Sequence, residues 1–275
     1  MLEARNIHVR LGKAAILHGV DLSAAKSQFT VIIGPNGSGK TTLLKALTGE
    51  IGFTGTVSLN DIDISSARPM QLASMRGVLP QAANLSFPFT VHEVVRLGLT
   101  MGIQTQVDVP ARIRQALAAV DMEGFGGRLY QELSGGEQQR VQLARVLAQV
   151  WEPVFEGEPR CLFLDEPISS LDIKHQLQIM QIARRYADGG GGVVAILHDL
   201  NLTGHYADHV VLMNRGRVYA SGAPRQVLTA ANLETVYGCP MAVGDIPPGM
   251  DFFVLPRIGA AVQASGPLAA VGVRD

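Results

Sequence analysis

The run Gly34-Pro35-Asn36-Gly37-Ser38-Gly39-Lys40-Thr41 has the residue types and spacing of a loop that wraps phosphate. It fits the pattern G-x-x-x-x-G-K-[ST], follows the apolar stretch Phe29–Ile33 and precedes a predicted helix that continues through Thr42 to Leu47. Gly34, Gly37 and Gly39 free the backbone to turn successive N–H groups inward, and the helix behind them adds its positive end. Lys40 is placed to reach the β- and γ-phosphates of a nucleotide, and Thr41 to ligate Mg²⁺. A chance match of the four fixed positions is expected in about 1% of chains this long, so the loop predicts nucleotide binding.

A second glycine cluster, Leu133-Ser134-Gly135-Gly136-Glu137, is followed by Gln138-Gln139-Arg140. Ser134 or Gly135 is placed to cap a helix there, leaving the Gly135 and Gly136 amides free. A plain cap seldom carries two glycines before so specific a polar run. Downstream of a phosphate loop, this pentapeptide resembles the signature of the ATP-binding cassette (ABC) ATPases, and the resemblance covers about residues 2–235.

That resemblance implies roles for further residues. Leu162-Phe163-Leu164-Asp165-Glu166 looks like the Walker B strand, whose terminal carboxylates need partners where they are buried; Asp165 would orient Mg²⁺ through water and Glu166 act as general base. Gln81, after Val78-Leu79-Pro80, is similar to the Q-loop glutamine that couples Mg²⁺ and ATP to the helical subdomain. His198 resembles the switch histidine at the γ-phosphate, and Ser169-Ser170-Leu171-Asp172 the loop that crosses to a partner subunit. The cofactors implied are ATP and Mg²⁺. Signature glycines in this family close over nucleotide held by a second copy, so a homodimer is implied, with Ser134, Gly135 and Gly136 acting across it. The family commonly stacks an aromatic residue on adenine in the stretch that here reads His8-Val9-Arg10-Leu11-Gly12. Leu11 is the expected occupant, giving apolar contact without stacking.

The elements that must position these groups follow from periodicity. Residues 2–33 read as three short strands, the first an edge or half-buried one, and 55–64 as a strand pair. VHEVVRLGL, RIRQALAAV and Gln138–Gln149 place apolar residues at helical intervals. Cys161–Leu164, Val193–Leu197 and Val210–Met213 then alternate with helices, which predicts a parallel sheet. The expected fold class is α/β, a P-loop NTPase (RecA-like) core with a mostly parallel sheet, an N-terminal antiparallel β subdomain and a helical insertion. The expected division is a discontinuous core at 1–83 and 160–239, a helical signature subdomain at 84–159, and an extension at 240–275 with one strand around Phe252–Leu255.

Composition narrows the function classes. Lys plus Arg (23) nearly balances Asp plus Glu (24), which gives no footprint for nucleic acid. Two cysteines make no disulfide framework. His205 and His209, four apart on a predicted helix, lack a third metal ligand. Trp151 reads as a packing anchor. Glycine is abundant, 30 of 275, and its clusters at 34–39 and 135–136 carry the chemistry, while 189–192 reads as a turn. Mean hydropathy is +0.19 with no stretch of about 18 apolar residues, so no spanning segment is expected and no direct lipid insertion.

A lone cassette would serve separate permease subunits, two per transporter, and indirectly a periplasmic substrate-binding protein. It would sit peripherally on the cytoplasmic face of the bacterial inner membrane. The stretch Ala82–Met101, with Phe87, Pro88 and Phe89, is the expected docking groove. Val78-Leu79-Pro80-Gln81, the stretch Phe89–Gly98, the long segment Ala148–Arg160 and the stretch Tyr219–Leu228 resemble iron-chelate, haem and cobalamin importers, and among them haemin-import ATPases most. Ferric-siderophore or cobalamin import is the alternative. A soluble ABC ATPase acting on ribosomes or DNA would carry paired cassettes or long charged linkers, which are missing here.

Overall fold

The computed structural model describes residues 1–81, 85, 87–100, 108–244 and 254–256. β1 (Leu2–Leu11) and β2 (Ala14–Ala24) pair antiparallel through a turn at Gly12. Leu2 and Ala4 are buried in one phase and Ile7 and Val9 in the other. The change of phase falls at a register shift between Ala4 and Ile7, where Asn6 takes a φ of 53°. One inserted residue keeps both halves of the strand facing the core. β1 lies between β2 and a later strand, so it is an interior strand with one buried face, and the edge alternative fails.

β3 (Phe29–Ile33) is buried at every position, as a central parallel strand must be. α1 (Lys40–Leu47) follows it across the glycine loop. β4 (Thr54–Leu59) and β5 (Ile62–Asp63) then complete a four-stranded antiparallel sheet in the order β2-β1-β4-β5. α2 (Pro69–Met75), with proline at its start, leads into β6 (Arg76–Leu79), a strand that periodicity alone does not reveal.

The predicted helical segment holds α3 (Val91–Thr100), α4 (Val109–Ala119) and α5 (Gly135–Gln149). Gly98 lets α3 and α5 approach: a Cβ there would stand 2.0 Å from the Arg145 carbonyl oxygen. At the end of this segment β7 (Val154–Phe155) and β8 (Glu158–Pro159) form a small hairpin. Its turn residues Glu156 and Gly157 both have positive φ, 52° and 84°. That is the geometry of a tight hairpin turn, and strands of two residues are too short to show a period.

Four more strands alternate with helices: β9 (Cys161–Asp165), α6 (Ile173–Asp188), β10 (Gly192–Ile196), α7 (Leu200–Tyr206), β11 (His209–Asn214) and β12 (Arg217–Gly222). The main sheet has the order β12-β11-β3-β10-β9-β6, parallel except for β12. α8 (Pro224–Val227), α9 (Ala230–Tyr237) and the antiparallel pair β13 (Met241–Val243) and β14 (Val254–Pro256) end the described chain. The expected terminal strand is present at Val254 and Leu255; Phe252 lies outside the described residues.

Side chains alternate between two cores across the main sheet. Ile32, Phe163, Val194, Ile196, Val211 and Met213 pack with α1 and the antiparallel sheet. Val31, Ile33, Leu162, Leu164, Val193 and Leu212 pack on the opposite face against helices that include α5 and α6. The cut ends of β3, β9 and β10 are therefore held rigidly side by side. His205 and His209 do not share a helix, because α7 ends at Tyr206 and His209 opens β11. Among the described residues no three His, Cys, Asp or Glu side chains form a metal cluster, and no helix is long and apolar enough to cross a membrane. Trp151 packs on the larger core with the Arg112 guanidinium over its ring.

Candidate nucleotide site

The glycine loop leaves the carboxyl end of β3 and enters α1. Gly39 stands at the start of α1 with a φ of 100°. Gly34 has a φ of 147°, and a Cβ there would stand 2.3 Å from the Met213 carbonyl oxygen of β11. The loop is braced from the same side by a hydrogen bond from the Gly216 amide to the Ser38 carbonyl at 3.0 Å. Glycine is thus required by left-handed backbone and by close contact with a neighbouring strand.

Lys40 is only 6% exposed. Its Nζ donates to the carbonyls of Gly34 at 2.8 Å and Pro35 at 3.1 Å, so the ammonium is folded over the loop's interior. Burial lowers its pKa, and the carboxylates of Glu166 and Asp165 partly oppose that. A buried cation held by neutral carbonyls gains much from an arriving polyanion. Ser38 Oγ is buried without a hydrogen-bond partner, a polar atom left over in the loop. Asn36 and Gly37 are exposed beside it, with Pro35 half-buried, and these residues line a hollow of about 350 Å³ shared with Arg215 and Tyr237. The loop fits a nucleotide's phosphates.

Thr41 Oγ1 lies 3.3 Å from Asp165 Oδ1, and Thr42, next on α1, is half-buried. Asp165 is 2% exposed, and burial pushes its carboxyl pKa up. A hydroxyl and a buried carboxylate side by side form a donor set suited to a hard cation such as Mg²⁺. Glu166, one residue further, has a φ of 50°, an unusual backbone state that costs a non-glycine residue about 1–3 kcal/mol. Gln81 Nε2 donates to Glu166 Oε2 at 2.9 Å, and His198 Nε2 stands 2.7 Å from Oε1. A carboxylate only accepts, so His198 carries its proton on Nε2. Gln81 thus bonds Glu166 and not the Thr41–Asp165 pair.

Ser134 caps α5 in a reciprocal box: its hydroxyl and amide donate to Glu137 Oε2 at 2.7 and 2.8 Å. Gly136 sits against the loop before α6, where a Cβ would stand 3.0 Å from the Ser170 carbonyl oxygen. Asp172 caps α6, accepting from the His175 amide at 3.0 Å and facing its Nδ1 at 2.8 Å. Ser134, Gly135, Gly136, Asp172 and His175 line a hollow of about 440 Å³ that shares no residue with the hollow at the phosphate loop. Leu11 is 51% exposed at the tip of the β1–β2 hairpin.

Residues 17–169 match the family model described as ABC transporter. The chain belongs to the ABC transporter family. It is 57% identical over 259 residues to the hemin import ATP-binding protein HmuV of Jannaschia sp. (strain CCS1), covering 94% of this chain and 95% of that protein. It is 58% identical to the protein of the same name from Mesorhizobium japonicum, covering 94% and 98%. Among solved structures, a dimeric ATP-binding cassette in a post-hydrolysis state with ADP and Pi superposes with a TM-score of 0.71 at 27% identity, covering 82% of this chain and 99% of that one. An inward-facing metal-chelate type ABC transporter shares the fold, with a TM-score of 0.76 at 23% identity over 94% of this chain and 98% of that one.

As an ABC ATPase, the chain couples ATP hydrolysis to transport. Two residues of this cassette escape sequence reasoning. Tyr237, on α9, has a half-buried phenol influenced by the Gly34 amide and pushed up to about 12 by burial. His175 holds Asp172. Tyr237 reaches the loop only on folding, and His175 sits three residues after Asp172 in what reads as an ordinary helix start.

Proposed function

We propose that this chain is the ATP-hydrolysing subunit of a haem importer, working as a homodimer beneath two permease subunits and served indirectly by a periplasmic binding protein. It would lie peripherally on the cytoplasmic face of the inner membrane. The reading rests on one observation above the others, identity above 55% across nearly the whole chain to proteins named for hemin import.

In this reading Lys40 and the amides of the 34–41 loop hold the phosphates, and Thr42 and Leu11 flank the nucleotide. Thr41 and Asp165 would hold Mg²⁺, joined by Gln81 once its amide leaves Glu166, and the ion would supply charge neutralisation for the phosphates. Glu166 takes the proton of the attacking water at its carboxylate, a step worth about 10²–10⁴ in rate. Its side chain is half-enclosed by Gln81 and His198, so both must let it turn toward water as nucleotide arrives. His198 then offers its Nε2 proton to the γ-phosphate. Ser134, Gly135 and Gly136 of the second copy would close the site from the far side, with Asp172 at the joint. The separation of the two hollows within one chain supports that division of labour.

Phe87, 69% exposed, and Phe89 meet edge to face at 6.2 Å and would seat a helix of the permease. Of that stretch, Ala82–Asn84, Ser86 and Met101 lie outside the described residues. A strain lacking this chain should lose growth on haem as sole iron source. The parent chain should restore it, and Glu166→Gln should not. Loss of growth on a ferric siderophore, or of cobalamin uptake, with haem use intact would overturn the substrate assignment.

A further inference from the structure

Glu166 is held at its backbone as well as at its carboxylate. Its left-handed turn places its carbonyl oxygen where three donors meet. Ser169 supplies two from the same turn, its amide at 3.4 Å and its hydroxyl at 3.2 Å. The third and shortest comes from Gln139 Nε2 at 2.9 Å, 27 residues upstream on α5. Among the described residues, Gln139 is the one side chain from another element that bonds this carbonyl. A carbonyl only accepts, so the amide must present nitrogen, which fixes its orientation. The other half of the amide, Gln139 Oε1, is buried with no partner. An apolar side chain of the same length would leave no such orphan, so this polar residue is kept for the one bond it makes.

The position of Gln139 gives that bond meaning. It lies on the helix whose first turn carries Ser134, Gly135 and Gly136, and the same turn abuts Ser170, four residues after Glu166. A rigid helix therefore runs from the surface proposed to meet the partner's nucleotide to the backbone of the proposed base. We infer that Gln139 is a positioning residue for hydrolysis: it holds the Glu166 backbone in its turned state and ties the aim of the carboxylate to the placement of α5. The inference rests on the assignment of Glu166 as base. A carboxylate displaced by about 1 Å loses much of its catalytic value, while phosphate binding at the 34–41 loop is untouched.

The test is steady-state ATP hydrolysis by the full chain carrying Gln139→Met, which keeps length and removes the donor, with Glu166→Gln run alongside. We expect kcat to fall about 10-fold or more for Gln139→Met, with KM for ATP within about 2-fold of the parent and an unchanged melting temperature. Gln139→Glu, which keeps shape and polarity but offers no donor when ionised, should show the same split and covers the case in which the methionine variant fails to fold. A kcat at the parental value in either variant, with Glu166→Gln inactive, would overturn the positioning role alone. Equal losses in kcat, ATP affinity and melting temperature would reduce Gln139 to a packing residue and also overturn it. Parental turnover by Glu166→Gln would remove the base assignment beneath it, a result readable independently of Gln139.

Discussion

His198 Nε2 and Glu166 Oε1 stand 2.7 Å apart, joining the end of β10 to the end of β9. Neighbouring parallel strands in register, with Ile196 opposite Asp165, bring these two residues together from 32 positions apart in the chain. His198→Ala removes both the tie on the carboxylate and the proposed donor to the γ-phosphate. ATP turnover should fall about 10²-fold with nucleotide binding kept, as measured by phosphate release and by titration with a fluorescent ATP analogue.

Gly34→Ala should lower stability by about 2 kcal/mol or more, since it combines left-handed backbone with a close contact to the Met213 carbonyl. Gly135→Ala meets nothing within 4 Å and should stay within about 0.5 kcal/mol of the parent. Urea denaturation of the two variants measures the contrast.

The cap of α5 gives a pH dependence. Hydrogen bonds from the Ser134 hydroxyl and amide hold the Glu137 carboxyl below its ordinary value of 4.5. A lowered folded-state pKa contributes stability that is present in full above the ordinary value and is lost as pH falls through the folded one. The thermal midpoint of the parent should therefore drop as pH falls below 4.5, and less so in Glu137→Gln, which keeps the cap without a charge. Because the carboxylate is solvent-accessible, solvent screens the difference and it will be small. Identical acid limbs would contradict this account of the cap.

Leu11→Tyr supplies the ring that the hairpin tip lacks. Stacking on the base should tighten ATP binding about 5-fold, and ATP more than GTP, as read by calorimetry. No change in either affinity would show that Leu11 does not border the base.

Much of this arrangement was legible in the sequence for identifiable reasons. The loop at 34–41 is local, so its motif contains its geometry. β3, β9 and β10 are continuous apolar runs because both faces are buried, and Asp165 and Glu166 stand out by ending one of them. β6 escapes because it is four residues long and carries Gly77, whose missing side chain admits Val146 of α5 and Val150 just after it. The β7–β8 hairpin is too short to show a period. The bonds from Gln139 to Glu166 and from His175 to Asp172 have different origins: the first spans two elements, and the second hides inside what reads as an ordinary helix start. Chemistry written in a motif's residue types is visible beforehand, whereas a bond between elements, or one inside an ordinary helix cap, is not.

The most direct test of the two-copy mechanism is the mass of Glu166→Gln in solution with and without Mg²⁺ and ATP, by light scattering. The account predicts a chain that binds ATP, hydrolyses it at about 1% of the parental rate or less, and shifts to a stable dimer that the parent forms only transiently. A variant that turns over ATP at the parental rate, or that binds ATP and remains a monomer, would contradict it.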